Sequence, residues 1–148
     1  MKNFICSIAV FLLAASVIAC GAPGDSSAGA AKKSGSWVYP VDAGMLTKGQ
    51  QVYTINCAPC HGASGKGDGP GAAALNPKPR DHTNREYMDV LTDQKIADVV
   101  KMGGIVSGYP NMPSSPHIRG DDMLALVAFT RSLSIGAENV ATVEVKPQ

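Results

Sequence analysis

The chain opens with an apolar run at residues 4–18, behind a single lysine at position 2 and ahead of small residues, and then carries few apolar side chains until Trp37. A run of this length with these flanks has the layout of an export signal and is short for a membrane span. Residues 21–36, GAPGDSSAGAAKKSGS, have almost nothing to bury and cannot offset the entropy of ordering, so they read as a tether. Its root-mean-square reach is roughly 25 Å. Helical periodicity then appears three times. In LTKGQQVYTINC, Thr47 is a possible N-cap and Val52, Tyr53 and Ile55 are the apolar positions. In LTDQKIADVVKMGG, Thr92 caps the helix, Asp93 suits its first turn, Ile96, Val99 and Val100 share a face, and Gly103-Gly104 ends it. In GDDMLALVAFTRSL the helix opens at Asp121 or Asp122 and carries Leu124, Leu126, Val127, Phe129 and Leu133. Met102 and Met123 fall at helical spacing as core residues. Glycine- and proline-rich loops at 61–83 and 103–120 separate the three helices. No alternating strand is predicted before residue 138, and the tail, NVATVEVKPQ, has extended character but no assigned place.

Composition narrows the picture. With 148 residues, 45% of them apolar, and a net charge of +1, the chain has room for one small domain and shows no sign of a nucleic-acid partner. The structured part, residues 37–135, is under a hundred residues, so its core is marginal unless a cofactor adds apolar bulk. The signal run ends in VIAC, which resembles the lipobox of bacterial lipoproteins. The resemblance implies cleavage after residue 19, lipid on Cys20, and an exported domain anchored on the periplasmic side of a bacterial membrane. An ordinary secretory signal cut after Ala19 or Ala22 is the alternative. The expected division is therefore signal 1–19, lipidated Cys20 with tether 20–36, domain 37–135 and tail 136–148. Of four cysteines, Cys6 leaves with the signal and Cys20 takes lipid, so Cys57 and Cys60 remain as a local pair.

That pair lies in INCAPCHGASGKGDGPG, residues 55–71. A redox dithiol needs a helix running on from its first cysteine, yet glycines and a proline crowd the residues after His61. A structural zinc site needs four ligands, and Cys57, Cys60 and His61 supply three at most. Covalent haem uses every residue of the motif: two thiols across two residues span the vinyl groups on one porphyrin edge, and the adjacent histidine falls beneath the iron. Export provides the compartment in which such attachment occurs.

With these residues in place, the chain resembles a class I c-type cytochrome, the small monohaem bacterial kind in lipoprotein form, over residues 46–133. The resemblance implies an all-α cytochrome c fold, three main helices and long loops around one covalently bound haem c. It implies that Gly49 and Tyr53 on the first helix cross Leu126 and Phe129 on the last. It assigns thioethers to Cys57 and Cys60, the proximal iron ligand to His61 and the distal one to Met112 in YPNMPSSP, with His117, His82 and Met102 as the other distal candidates. It gives Pro70 the carbonyl that orients His61, and Arg80 or Trp37 a haem propionate. The implied function is a non-enzymatic, membrane-anchored carrier of single electrons. Its expected partners are respiratory redox proteins, with a quinol-oxidising complex as donor and a terminal oxidase or reductase as acceptor. Docking is expected at an apolar patch of Ala58, Pro59, Met112 and Pro113. A fixed haem subunit of a membrane respiratory complex is the alternative, and a haem ligand sensor with a displaceable Met112 is a further one.

Overall fold

The computed structural model describes residues 31–33 and 36–145. The assignments made for the signal, for Cys6 and Cys20 and for most of the tether lie outside the described residues, as does the side chain of Trp37. The element order is β1 (Ala31–Lys33), β2 (Ser36–Pro40), α1 (Ala43–Asn56), α2 (Ala58–His61), α3 (Arg85–Asp89), α4 (Asp93–Met102), α5 (Asp121–Ile135) and β3 (Thr142–Val145). The fold is mostly helical, as expected.

Helix α1 begins one turn earlier than predicted. Its N-cap is Asp42, whose carboxylate accepts from the Met45 amide at 2.7 Å, while Thr47 lies inside the helix and turns its hydroxyl back to the Ala43 carbonyl. Helix α4 starts at its predicted cap: the Thr92 hydroxyl accepts from the Lys95 amide, and Gly103, at φ 84°, ends the helix in a backbone conformation that a side chain would strain. Helix α5 has Gly120 rather than an aspartate as its cap residue, with Asp121 and Asp122 in the first turn, where the helix dipole favours negative charge.

α1 and α5 cross at Gly49. A Cβ built on Gly49 would lie 2.0 Å from the Ala125 carbonyl oxygen and 2.7 Å from the Phe129 Cβ, so only glycine permits the contact. One turn along, Tyr53 is 1% exposed and tilts against Phe129, with ring centroids 5.2 Å apart, while Leu126 and Val127 are fully buried. Met123 joins this core. Two expected core positions do not: Ile55 is 75% exposed and Met102 is 50% exposed. Each has helical spacing but points from its helix away from the crossing.

β1 and β2 form where no strand was predicted, and the tail, read as extended but given no place, supplies β3. β2 pairs antiparallel with β1 on one side and with β3 on the other, with Trp37 opposite Val145 and Tyr39 opposite Val143. The tail therefore packs onto the domain, and Val143 and Val145 turn inward, each removing apolar surface worth about 2 kcal/mol. Asp93 holds β3 against α4: one carboxylate oxygen accepts from the Glu144 amide at 2.8 Å and the other from Arg131 Nε at 2.7 Å. The rest of the Arg131 guanidinium donates to the carbonyls of Met88 and Leu91, tying α3 and its following turn to α5.

Two outcomes are expected from this packing. Gly49→Ala forces the α1 and α5 backbones apart and should cost about 2 kcal/mol in denaturant unfolding. Asp93→Ala leaves the half-buried Arg131 without its counter-charge and removes the bond from α4 to β3, for an expected loss of about 3 kcal/mol by the same measurement.

Candidate functional site

Cys57, Cys60 and His61 sit at the junction of α1 with the single turn α2. The His61 amide bonds to the Cys57 carbonyl at 2.8 Å, and this tight turn brings both thiols and the imidazole to one wall of a cavity. The glycine-rich segment then folds back along the turn. The amides of Gly67, Gly69 and Gly71 donate in sequence to the carbonyls of His61, Cys60 and Pro59, at 2.8, 3.0 and 2.8 Å. A Cβ on Gly69 would lie 2.5 Å from the Ala58 oxygen, so the alternating glycines allow two backbones to lie in contact.

His61 is 7% exposed, and its Nδ1 lies 2.9 Å from the Arg80 carbonyl oxygen. A carbonyl only accepts, so Nδ1 carries the proton and Nε2 keeps its lone pair. Burial lowers the His61 pKa while the bond to Arg80 opposes the shift, and the ring is neutral near pH 7. This geometry corrects the expectation for Pro70. Pro70 is exposed, in a segment whose amides are spent on the Cys57–His61 turn, and the loop reaches Nδ1 only ten residues later. The prolines at 77 and 79 favour an extended backbone there, which presents the Arg80 carbonyl inward.

His82 lies beside His61. Their rings stack with centroids 4.2 Å apart and 17° between planes, and His82 Nδ1 is 3.1 Å from the Tyr53 hydroxyl. Burial, with the neighbouring His61, takes the His82 pKa down to about 3 despite the opposing pull of Asp81. Burial likewise raises the pKa of the Tyr53 hydroxyl, which remains protonated. The Cys57 thiol is pushed up to about 12, chiefly by burial and secondarily by Cys60, the opposite of what an activated dithiol requires. Cys57 and Cys60 are not joined in a disulfide.

Met112 lines the same cavity. Its loop is closed by backbone bonds: the Gly104 amide to the Met112 carbonyl at 3.0 Å, Tyr109 to Gly104 at 2.8 Å and Met112 to Tyr109 at 3.0 Å. Asn111 ties this loop to the other through the Asn76 carbonyl. The other distal candidates lie elsewhere. His117 is exposed and pairs with Asn56, Met102 turns to solvent, and His82 is stacked on the His61 ring rather than set across the cavity from it. The Arg80 side chain stands at the cavity between two rings, its guanidinium carbon 4.4 Å from the centroid of Tyr87 and 4.8 Å from that of Tyr109.

Met88, Leu91, Ile96, Val100, Ile118 and Leu126 give the cavity an apolar floor. Ser107 also lines it. Its hydroxyl is buried with no hydrogen-bond partner among the described residues, a state that costs free energy until a polar group arrives. Sequence reasoning had no signal for Ser107, whose place depends on the short turn at Gly104–Ser107. The donor set is two thiols, one neutral imidazole with a free Nε2 and one thioether around an apolar floor, with an unpaired hydroxyl at the wall. This set suits a haem and lacks the fourth hard or thiolate ligand that zinc requires.

The Cytochrome c family model matches residues 46–134. No curated protein matches the chain. Among solved structures, a chain of the Kuenenia stuttgartiensis reducing HAO-like protein complex superposes with a TM-score of 0.50 at 28% identity, over 62% of this chain and 44% of that one. The chain thus spans less than half the length of that relative.

Proposed function

This chain belongs to the cytochrome c family, and from that premise we propose that it is a membrane-tethered carrier of single electrons on the periplasmic side, with its iron held between His61 and Met112. As a family member it binds covalently attached haem c and takes part in electron transfer. Bound there, haem supplies a one-electron couple between ferrous and ferric iron. The observation that carries the ligand assignment is a single cavity lined by Cys57, Cys60, His61 and Met112.

Cys57 and Cys60 would hold the porphyrin through thioethers. His61 offers the lone pair of Nε2 with its ring held by the Arg80 carbonyl, and a neutral imidazole so oriented is the form that ligates iron. Met112 offers a soft, uncharged thioether from a loop closed on its own backbone, and such a ligand favours ferrous iron. His61 and Met112 would together hold the iron, and a metal so held would leave a small substrate no place to bind. Arg80 and Ser107 are suited to the propionates, one as a cation at the mouth and one as an unpaired hydroxyl.

Pro59 and Pro113 are exposed and Ala58 and Met112 are half-buried, which supports the apolar docking patch expected beside the ligands. Redox proteins fit such a patch by brief, weak contacts. A quinol-oxidising donor and a terminal oxidase or reductase as acceptor are the partners we propose. The VIAC sequence at Cys20 supports the lipid anchor, which confines the search for partners to a membrane surface. A second reading, a fixed subunit of a larger redox assembly, draws on the likeness to one chain of a complex.

Absorption spectra of the exported, haem-matured protein in both redox states test the ligands. Covalent haem with the far-red band that methionine sulfur gives ferric haem is expected, and Met112→Ala should abolish the band and retain the haem. Carbon monoxide binding by the unmodified ferrous protein at neutral pH would instead favour the sensor. Membrane fractionation tests the anchor. The unmodified protein is expected with membranes and Cys20→Ala in the soluble fraction as a monomer; a stoichiometric complex surviving in Cys20→Ala would support the fixed subunit and sink the free carrier.

A further inference from the structure

His82 is absorbed by none of the roles assigned above, yet it is built into the site. Its ring lies nearly parallel to the His61 ring at 4.2 Å, its amide donates to the Gly65 carbonyl at 2.7 Å, and its Nδ1 meets the Tyr53 hydroxyl at 3.1 Å. Tyr53 is itself immobilised, 1% exposed between α1 and α5 and packed on Phe129. From this geometry we propose that His82, held by the Tyr53 hydroxyl, is a positioning residue that acts with the Arg80 carbonyl to fix the rotation of the His61 ring about its bond to iron.

The inference rests on the reading of His61 as the proximal ligand. An imidazole bonded to a metal through Nε2 carries its Nδ1 off the axis of that bond, so the hydrogen bond to the Arg80 carbonyl restrains rotation at one edge of the ring. What lies against the faces of the ring supplies the second restraint. Here one face has a flat partner whose own orientation is set twice, at its backbone by Gly65 and at its ring by Tyr53. A phenylalanine at position 82 would provide the flat face but would leave the buried Tyr53 hydroxyl without its partner, a cost of roughly 1–3 kcal/mol. Histidine satisfies both requirements, which gives a reason for a polar ring at a largely apolar wall. The same stacking removes His82 from the distal ligands, since a ring lying face to face with His61 cannot also approach the metal from the opposite side.

The angle of an axial imidazole about its metal bond selects which haem π-orbital carries the unpaired electron of low-spin ferric iron. That choice orders the shifts of the four haem methyl protons, a readout that general loosening of the fold does not mimic. The test uses the full-length, haem-matured protein as unmodified chain, Tyr53→Phe, His82→Phe and His82→Leu. All four are expected to keep covalent haem and the far-red methionine band. The order or spread of the ferric haem methyl shifts should change most in His82→Leu, which loses the flat face. Tyr53→Phe and His82→Phe keep a ring and lose only the hydroxyl tie, so smaller changes are expected there. Shifts in Tyr53→Phe and His82→Leu superimposable on the unmodified protein, with only the melting temperature altered, overturn the proposal. If His82→Leu does not accumulate, Tyr53→Phe decides alone, because it removes one oxygen atom from an otherwise unchanged wall. Absence of covalent haem from the unmodified protein defeats the underlying reading and is seen before any variant is compared.

Discussion

Gly49 lets the backbone of α1 rest against that of α5 at Ala125, and the groups around the cavity take their positions from that contact. Helix packing without a glycine holds axes about 8–10 Å apart, the distance set by the side chains between them. Removing those side chains at one point turns the crossing into a fixed hinge pin. Tyr53, one turn further along α1, is then carried to the cavity wall with Phe129 behind it, and α1 ends where Cys57 begins the motif turn. From Tyr53 the constraint passes to His82 and from His82 to His61. A helix contact thus governs the setting of a side chain that belongs to neither helix.

Much of the remaining wall is irregular backbone, and its order comes from hydrogen bonds between loops. Gly67, Gly69 and Gly71 return their amides to the motif turn, and Gly104, Tyr109 and Met112 close a ring of their own. Such segments bury little apolar surface by themselves. The apolar surface that would stabilise them faces the cavity, so a planar cofactor completes the core as well as the chemistry. This is the physical reason a domain so short can carry loops so long.

What the sequence made legible was local. Thr92 and Gly103 bracket α4 because caps act within a few residues, and the Cys57–His61 motif is contiguous, so its chemistry could be read at once. Met112 stood out because a loop methionine between Asn111 and Pro113 has little to do as core. The parts that stayed hidden depend on distant partners. β2 exists because β3 lies beside it, more than a hundred residues away; the alternation in the tail showed extended character there but not which segment it would pair with. The Arg80 carbonyl reaches His61 by the path of a loop, and no spacing rule distinguishes it from Pro70. Asp42 was missed as a cap because Ala43 and Gly44 follow it, two residues that carry no helical pattern. Met102 and Ile55 show the opposite failure: periodicity marks a side chain as apolar without saying whether a neighbouring element will cover it.

The pairing of β2 with β3 has an architectural consequence. β1 and β3 both pair antiparallel with β2, so they run parallel to each other, and the chain enters this small sheet and leaves it at opposite ends. A segment joined before β1 and one joined after β3 are therefore held apart by the length of a strand, while β2, paired along both edges, is closed to any further strand.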